Sequence, residues 1–463
     1  MEQLLVKELI EATGGRLLQG DPAMPLRHVE TDSRKTKEGD VFFALIGERF
    51  DAHDFLDSAL EGGADGCVIS REPRKMLPGK YYVLVPDTIR AMGDLARYYK
   101  RKFRIPTVAV TGSVGKTTTK DMIAAVLSAA FNVLKTEGNF NNNIGLPMTI
   151  FRLGPEHQIA VLEMGMNHKD EIDYLTRIGE PDIAVITNIG DAHIGNLGSR
   201  EGIFQAKCEI FHGLREGGIA VLNGDDDLLT TLRGKTPFEI RWIGESPACD
   251  YRAEDVDGSR TGMTCLRAVT PEGSFDLEVP APGHHMLYSV MTAAAIALYF
   301  GMTKEQIRAG LASYVPTAMR MNIDRLPGGV VLYNDTYNAN TASMKAGLDI
   351  LSGTAAALKI AVLGDMLEQG AHEEDLHRQV GAYAADSGAD ILIAVGRASE
   401  KMAEEAAARG MRDVRYCPDH ESAMAELAGL AGGDRAFLFK ASRGMHLEKL
   451  YAYTKALLEG ADS

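Results

Sequence analysis

Short apolar runs and longer amphipathic stretches alternate along most of this 463-residue chain. Short runs rich in β-branched residues predict strands, whereas apolar residues repeated every three to four positions predict helices. Strands that alternate with helices are typical of parallel sheets in α/β proteins. At about 150 residues per domain, the length predicts two to four domains. We therefore expect an α/β fold, and the pattern divides it into three domains.

The first expected domain spans residues 1–85 and is a small α/β unit. An amphipathic helix near the N-terminus is predicted to end at Gly14-Gly15, and strands are predicted at 41–45, 66–69 and 82–85. Asp32, Ser33 and Arg34 lie in a loop between predicted strands. These residue types suit a capped turn with a solvated arginine and also a ligand site, so both interpretations stay open.

The second expected domain, residues 86–315, contains a sequence typical of a phosphate-binding loop. A helix over 88–103 leads into TVAVTGSVGKTTTK (107–120), in which a buried strand is followed by glycines and a new helix near Lys116. Gly112 and Gly115 allow a sharp turn with inward N–H groups, and the helix adds its positive dipole end. Val110 occupies the first glycine position of the G-x-x-x-x-G-K-[ST] pattern. The loop therefore predicts a polyphosphate site.

This loop also predicts a cation beside the nucleotide. In such loops the lysine reaches the β- and γ-phosphates and the next hydroxyl holds Mg²⁺. The predicted ATP contacts of the loop are Gly112, Ser113, Val114, Gly115, Lys116, Thr117 and Thr118.

Polar residues follow later strands of the same domain. Strand 159–164 presents Glu163, and strand 183–188 leads to Asp191 and His193. The carboxyl ends of parallel strands meet at one ligand-binding edge, where a carboxylate can bind Mg²⁺. A further predicted helix, 203–211, holds Lys207 among apolar neighbours, an arrangement that also suits a snorkelling lysine.

The stretch TEGNFNNNIGLPMT (136–149) is too polar for a core strand. Amide side chains both donate and accept hydrogen bonds, so the stretch suits a loop over phosphate or substrate; it equally suits a turn-rich connector. Its candidate ligand residues are Asn139, Asn141, Asn142 and Asn143.

Residues 316–463 are expected to form a third, doubly wound α/β domain. Strands predicted at 330–333, 360–363, 391–395 and 436–439 alternate with helices such as 343–351 and 372–387. Polar clusters occur at NDTYNANTASM (334–344), LGDMLEQG (363–370) and FKASRGMHLE (439–448). Because each cluster follows a strand, together they predict a second binding edge.

Composition narrows the classes of protein. A formal net charge of −15 argues against nucleic-acid binding, and no apolar run approaches the ~20 residues that span a bilayer. The five cysteines have no C-x-x-C spacing, so neither a disulfide framework nor a zinc site is indicated. The N-terminus lacks the pattern of a signal peptide. We expect a cytoplasmic protein that binds small molecules and does not insert into membranes.

Four of these segments resemble motifs of the Mur ligases, the ATP-dependent amino-acid ligases that build the peptidoglycan peptide. TGSVGKTTTK resembles the family's ATP loop, and EGNFNNNIGLP resembles its substrate loop. LEMG resembles the segment that contains its magnesium-binding glutamate, and NIGDAHIGNLGS resembles the segment that contains its central histidine. The resemblance implies catalytic roles for Lys116, His193 and Lys207, with Thr117, Glu163 and Lys207 at the metal. Lys207 falls where the family carries a lysine that reacts with CO₂, and a partly desolvated lysine favours the neutral amine that can do so.

The resemblance extends to the remaining predicted contacts. It implies that His285, Arg320 and Asp335 contact the nucleotide, although Met286 and Ser289 stand where the family has two asparagines, whose roles are not carried over. It also implies that the first domain holds the UDP end of the substrate. The expected substrate-binding residues are Asp32, Ser33, Arg34, Asn139, Asn141, Asn142, Asn143, Asn338, Asn340, Ser442 and Arg443.

The three polar clusters of the last domain resemble one branch of the family. That branch joins D-Ala-D-Ala to UDP-N-acetylmuramoyl-tripeptide; in the segments of this chain Thr341 replaces a usual proline and Ala441 a common glycine. The resemblance implies a three-domain ligase that uses ATP and Mg²⁺ to join these two substrates, and we expect it to be a monomer. Two alternatives remain: a related ligase that adds diaminopimelate or lysine or resembles folylpolyglutamate synthetase, and a non-enzymatic P-loop regulatory protein.

Overall fold

The computed structural model describes residues 1–47, 50–258 and 262–460. Three main sheets are formed by these residues, one within each expected domain, and a small antiparallel pair joins β1 (Leu4–Leu5) and β3 (Pro25–Leu26). Each main sheet is largely parallel and alternates with helices, so the predicted α/β fold class is confirmed. The last three residues of the predicted third domain lie outside the described residues.

The first main sheet has the strand order β2-β7-β6-β5-β4, with β2 antiparallel to β7 and the other pairs parallel. Its strands are β2 (Arg16–Gln19), β4 (His28–Glu30), β5 (Asp40–Phe43), β6 (Gly66–Ile69) and β7 (Tyr81–Leu84). The helices of this part are α1 (Val6–Thr13), a 3₁₀ turn (Ala52–Phe55), α2 (Leu56–Glu61) and α3 (Thr88–Arg101). Gly14 ends α1 in a left-handed conformation, as the glycine pair predicted.

The central sheet positions the predicted phosphate loop. Its strands are β8 (Thr107–Thr111), β9 (Val133–Lys135), β10 (Ile159–Glu163), β11 (Ile183–Ile186), β12 (Ile219–Asn223), β13 (Glu239–Gly244), β14 (Tyr251–Asp257), β15 (Thr264–Thr270) and β16 (Gly273–Val279). Their order is β16-β15-β14-β13-β12-β11-β8-β10-β9, parallel from β9 to β14 and antiparallel beyond. Because β8 lies between β10 and β11, the loop that follows it is flanked by the ends of both strands.

Helices cover both faces of this sheet. They are α4 (Lys116–Leu127), α5 (Gly145–Ile150), α6 (Glu171–Gly179), α7 (Ile194–Leu197), α8 (Arg200–Cys208), α9 (Met286–Tyr299) and α10 (Lys304–Ala312), with 3₁₀ turns at Glu209–Gly213 and Leu229–Leu232. On one face α4 packs against α9 and α10, and on the other α3 packs against α1, α5 and α6. One continuous hydrophobic core therefore joins the first unit to the central sheet through α3.

The third sheet has the order β17-β18-β22-β19-β20-β21, parallel except for the β17–β18 pair. Its strands are β17 (Asn322–Leu326), β18 (Val330–Asp335), β19 (Leu358–Gly364), β20 (Ile391–Val395), β21 (Asp413–Cys417) and β22 (Arg435–Lys440). The helices are α11 (Thr341–Gly353), α12 (Glu373–Asp386), α13 (Ser399–Ala408), α14 (His420–Ala428) and α15 (Glu448–Gly460), with 3₁₀ turns at Pro327–Gly329, Gly370–His372 and Arg443–Met445. The polar clusters after β18, β19 and β22 lie on three adjacent strands, as the predicted binding edge requires.

Among the described residues, no helix is long and apolar enough to cross a membrane. Cys67, Cys208, Cys249 and Cys417 are free thiols.

Candidate active site

The phosphate loop turns sharply at the end of β8. Gly112 and Gly115 have φ angles of 151° and 79°, and α4 begins at Lys116 directly after them. The ammonium of Lys116 donates a hydrogen bond across the loop to the Gly112 carbonyl over 2.7 Å. Burial lowers the pKa of Lys116, with Arg320 acting in the same direction and Glu163 opposing it. The loop thus has the cradle shape expected for a polyphosphate, with its lysine held at the centre.

Residues at the end of β11 hold this loop in place. The Asn188 side-chain oxygen accepts from Val114 N at 3.0 Å, and the Thr187 hydroxyl donates to the Val114 carbonyl at 2.6 Å. Ser113 Oγ accepts from Gly190 N at 2.9 Å. Sequence reasoning assigned no role to Thr187 or Asn188, because their contribution depends on β11 being the neighbour of β8. Their position at the end of a strand, next to the NIGDAH segment, is the signal that could have identified them.

A cavity of about 370 Å³ extends from this loop to the third sheet. Its lining comes from the P-loop, the end of β11, the start of α9, the segment around Arg320, and the β18–α11 connection. The predicted nucleotide-binding residues that line it are Ser113, Val114, Gly115, Lys116, Thr117, Thr118, His285, Arg320 and Asp335. Residues distant in sequence therefore meet around one cavity between the central and third sheets.

A buried lysine that the sequence analysis did not select lies on the far side of the cavity. Lys440 ends β22 beside Asp335, and its ammonium pairs with that carboxylate and donates to the Asn338 carbonyl at 3.0 Å. Burial lowers the pKa of Lys440, while Asp335 opposes this shift and Arg320 adds to it. The Arg320 guanidinium lies 4.1 Å from the centre of the Tyr337 ring. The adjacent ends of β18 and β22 thus bring an aspartate and a lysine to this wall, and Arg320 comes from the segment before β17.

The start of α9 lines another part of the cavity. Met286 is buried here, and Ser289 Oγ lies 2.8 Å from Thr119 Oγ1 of α4. Tyr288 also lines the cavity and donates a hydrogen bond to Asp225 at 3.3 Å. The hydroxyl that replaces a family asparagine is therefore engaged in holding α9 against the P-loop helix.

Glu163 has the chemistry of a cation ligand. It is 2% exposed at the end of β10, and one carboxylate oxygen accepts from Asn141 Nδ2 at 2.7 Å. Among the described residues, the second oxygen is buried without a hydrogen-bond partner. An unpaired buried carboxylate oxygen suits Mg²⁺, as does the buried hydroxyl of Thr117. Among the residues that the structure describes, no group of three or more His, Cys, Asp or Glu side chains able to hold a metal occurs.

Lys207 lies on α8 and is 1% exposed. Burial lowers its pKa well below the usual value, and the nearby Lys116 charge lowers it further. It forms no ion pair with any described carboxylate. Burial and the charge of Lys116 both favour the neutral amine of Lys207.

His193 precedes α7 and contacts the third sheet's domain. Its Nδ1 lies 2.9 Å from Oε2 of Glu368, which follows β19. Burial lowers the pKa of His193, Lys116 and Lys207 lower it further, and Glu368 raises it. His193 thus lies within the electrostatic field of both site lysines.

The asparagine loop divides into residues with different contacts. Asn141 binds Glu163, whereas Asn142 Oδ1 caps the start of α5 by accepting from Ile144 N and Gly145 N at 3.2 and 2.8 Å. Asn139 and Asn143 are exposed. The stretch therefore connects β9 to α5 and also places Asn141 against Glu163.

The other predicted substrate residues are spread over two domains. In the first, Arg34 pairs with Asp32 at 2.8 Å, and these hydrogen bonds lower the pKa of Asp32; with Ser33 they form the capped turn that their residue types suit. In the third, Asn338 and Asn340 line the nucleotide-side cavity, and Asn340 also caps α11.

Ser442 and Arg443 are not among the residues lining that cavity. Ser442 Oγ accepts from Leu367 N at 2.9 Å, and Arg443 pairs with Glu448 at 2.9 Å. Both residues follow β22, and both bind other residues of the third domain. The partner of Ser442 belongs to the 363–370 cluster.

Comparison with known proteins assigns the class. The Mur ligase middle domain matches residues 110–297, and the Mur ligase glutamate ligase domain matches residues 319–443. The chain belongs to the Mur ligase family, and it is thereby placed among ligases; the resemblance seen in its motifs is confirmed.

Individual relatives indicate which branch of the family the chain is similar to. The chain is 38% identical over 448 residues to the UDP-N-acetylmuramoyl-tripeptide–D-alanyl-D-alanine ligase of Bacillus subtilis, covering 96% of this chain and 97% of that one. It is similar to a crystal structure of MurF from Acinetobacter baumannii, with a TM-score of 0.92, 33% identity and 99% of each chain covered. It is also similar to MurF from Thermotoga maritima in complex with ADP, with a TM-score of 0.84, 29% identity and coverage of 94% and 98%. These names agree with the branch that the third-domain motifs predicted.

Proposed function

We propose that this chain joins the terminal carboxylate of UDP-N-acetylmuramoyl-tripeptide to the amine of D-Ala-D-Ala, converting ATP to ADP and phosphate. The observation that carries the proposal is the cavity in which the P-loop faces Arg320, Asp335 and Lys440 across two domains. The names of full-length relatives support the substrates. The reaction belongs to cytoplasmic precursor synthesis, and we propose a monomer, which a light-scattering mass would test.

The chemistry requires activation of a carboxylate, because oxide is a poor leaving group. A carboxylate oxygen attacks the γ-phosphorus of ATP, ADP leaves, and an acyl phosphate forms. The neutral amine of the dipeptide then attacks the acyl carbon and phosphate departs, with loss of one proton from the nitrogen. The cavity between two domains suits this sequence, because closure excludes the water that would hydrolyse the acyl phosphate.

The residues of the chain supply charge and position for the phosphoryl transfer. Lys116 and the N–H groups of the loop bind the β- and γ-phosphates, and Arg320 approaches from the third domain as negative charge spreads over the transferring group. Asp335 holds Lys440 at the same wall. Mg²⁺, when bound, would neutralise phosphate charge, with Glu163, Thr117 and modified Lys207 as its protein ligands.

We also propose that Lys207 is carbamylated. Its neutral amine adds to CO₂ and releases a proton, which gives a carbamate anion in place of a cation. The support is the burial of Lys207, its lowered pKa and its lack of an ion pair among the described carboxylates. A cation there would repel Mg²⁺, whereas the carbamate oxygens can bind it.

The test is a phosphate-release assay with product mass analysis. We expect steady release of phosphate only when ATP, Mg²⁺, the UDP-tripeptide and D-Ala-D-Ala are all present. The product should be heavier than the UDP-tripeptide by two alanine residues. Lys116→Ala is the matched inactive control, since its loop loses the charge-assisted phosphate contact.

Each alternative has its own outcome in the same assay. Turnover with diaminopimelate or lysine and the UDP-dipeptide, or with glutamate and a folate, would replace the proposed substrates by those of a related ligase. Nucleotide binding without turnover in any combination would instead indicate a regulatory protein.

A further inference from the structure

The central and third domains meet at a seam away from the nucleotide cavity. α7 lies against the loop that follows β19, and Ile194 packs against the hydrophobic core of the third domain. A Cβ added to Gly195 would lie 2.9 Å from the Glu368 carbonyl oxygen and 3.0 Å from Gly370 N. Main chain therefore touches main chain at this seam, and only glycine fits at position 195.

His193 and Glu368 face each other at this seam. Nδ1 of His193 lies 2.9 Å from Oε2 of Glu368, although the residues are 175 positions apart. His193 and Glu368 have φ angles of 66° and 65°. This left-handed backbone conformation is uncommon for residues other than glycine. Unfavourable backbone at both ends of one contact is typical of a functional constraint.

The loop that carries Glu368 is fixed by its own domain. Met366 N donates to His377 Nε2 at 3.0 Å, and Leu367 N donates to Ser442 Oγ at 2.9 Å. The Gln369 side chain donates to the Leu367 carbonyl at 2.9 Å. Every residue beside Glu368 is thus held, so the carboxylate is presented by a pre-organised loop.

The ion pair itself contributes little to docking of the domains. The Glu368 side chain is 58% exposed and that of His193 is 19% exposed, and solvated pairs of this kind are weak. The packing of Ile194 and Gly195 holds the seam. What the carboxylate can supply is orientation, because a neutral histidine whose Nδ1 proton is bound by an acceptor has an unprotonated Nε2.

We propose that Glu368 is a positioning residue that the third domain brings to His193, where it binds the Nδ1 proton and leaves Nε2 as the acceptor nitrogen. The inference rests on the proposed function, since the electrostatic neighbours of His193 include Lys116 and Lys207 of the proposed site. Docking of the third domain would then both close the cavity and set the histidine, so that chemistry begins only in the closed form.

Selective ¹⁵N labelling of histidine tests the assignment without turnover. In the ADP-bound full chain, the spectrum of His193, identified by its loss in His193→Gln, should show a protonated Nδ1. Glu368→Ala should shift the ring toward the Nε2–H tautomer, whereas Glu368→Gln retains an acceptor oxygen and should keep the Nδ1–H form. Glu374→Gln, which removes the carboxylate paired with Arg378 on α12, is the matched control and should change nothing.

Kinetics provide a second readout. Glu368→Ala should lower kcat by roughly tenfold or more, the size of loss found when metal-bound histidines lose such a partner, with KM for the UDP-tripeptide within about twofold. Glu368→Gln should recover most of kcat. Gly195→Ala should also lower kcat and should leave the chain less compact by X-ray scattering with ADP; Gly429→Ala, whose Cβ meets only one atom at 3.5 Å, is its control.

The outcomes separate this inference from the proposed function. A wild-type chain that does not ligate, combined with the predicted tautomer change, would overturn the function and support only the hydrogen-bond assignment between Glu368 and His193. A wild-type chain that ligates, with Glu368→Ala unchanged in tautomer and kcat, would overturn the positioning role alone.

Discussion

Gly112→Ala is a stringent test of the phosphate loop, because the structure leaves no room for a side chain there. Gly112 has a φ of 151°, and an added Cβ would lie 1.9 Å from Thr187 Oγ1 and 3.0 Å from Thr187 Cβ. The contact must lengthen by about 1.5 Å to reach the ordinary separation of 3.4 Å. Either the Thr187 hydroxyl turns away or the loop moves.

Both routes have a cost that can be estimated. Rotation of Thr187 breaks its 2.6 Å hydrogen bond to the Val114 carbonyl, which contributes about 1 kcal/mol. Placing alanine in a backbone conformation suited to glycine costs about 1–3 kcal/mol. The total of about 2–4 kcal/mol corresponds to roughly 30- to 900-fold in rate if it falls on the transition state. A shift of the loop by ~1 Å would give about 100-fold, within the same range.

The assay is phosphate release together with ADP affinity by calorimetry. Gly115→Ala is the matched control, because its Cβ would meet only Thr119 Oγ1 at 3.9 Å and the variant carries the backbone strain without the clash. Gly112→Ala combined with Thr187→Ala should recover part of the lost activity, since the clashing hydroxyl is gone. A Gly112→Ala enzyme at the wild-type rate would refute the reasoning, as would a double variant no better than the single one while Thr187→Ala alone is active.

Further expectations concern the remaining charged groups. Lys207→Ala should be nearly inactive, and Lys207→Arg should also fail to ligate, because a guanidinium does not form the carbamate. Full activity of Lys207→Arg, together with a bare Lys207 ammonium in the crystal density of the loaded wild-type enzyme, would contradict this. Arg320→Ala and Asp335→Ala should lower turnover more than affinity for the UDP-tripeptide, since both line the third-domain side of the cavity; equal losses by calorimetry would argue against it. Burial lowers the pKa of Lys100 to about 8 from 10.5, so the folded chain loses this proton before the unfolded chain, and stability against unfolding should rise between these pH values. Lys100→Met should stabilise the chain by up to ~3 kcal/mol at pH 7 and flatten that rise; an unchanged denaturant midpoint would exclude the effect.

Apolar runs were sufficient to predict several strands of each sheet, because buried parallel strands are short continuous apolar runs. The strands at Gly66–Ile69 and Ile391–Val395 match their predicted bounds. The predicted helix 203–211 instead begins at Arg200, where Ser199 caps it, and gives way to a 3₁₀ turn after Cys208. Apolar spacing does not distinguish an α-helix from the 3₁₀ turn that continues it, which explains the difference.

Candidate site residues could be selected from the sequence where one segment carries the whole motif. Lys116 and Thr117 follow from the loop alone, since a strand, glycines and a helix start define it. Lys440 and Glu368 could not be selected, because their roles depend on which strands are neighbours: β22 beside β18, and the loop after β19 beside α7. Contacts of this kind join residues more than 100 positions apart.

The most direct test of the central claim follows one oxygen atom. UDP-N-acetylmuramoyl-tripeptide labelled with ¹⁸O in its terminal carboxylate is turned over with ATP and D-Ala-D-Ala, and the released phosphate is analysed by mass. The proposed acyl phosphate predicts one ¹⁸O in each phosphate released, because the oxygen that attacked the γ-phosphorus leaves with it. Phosphate free of ¹⁸O, alongside a ligated product, would contradict the mechanism, and release of unlabelled phosphate without product would contradict the ligase assignment itself.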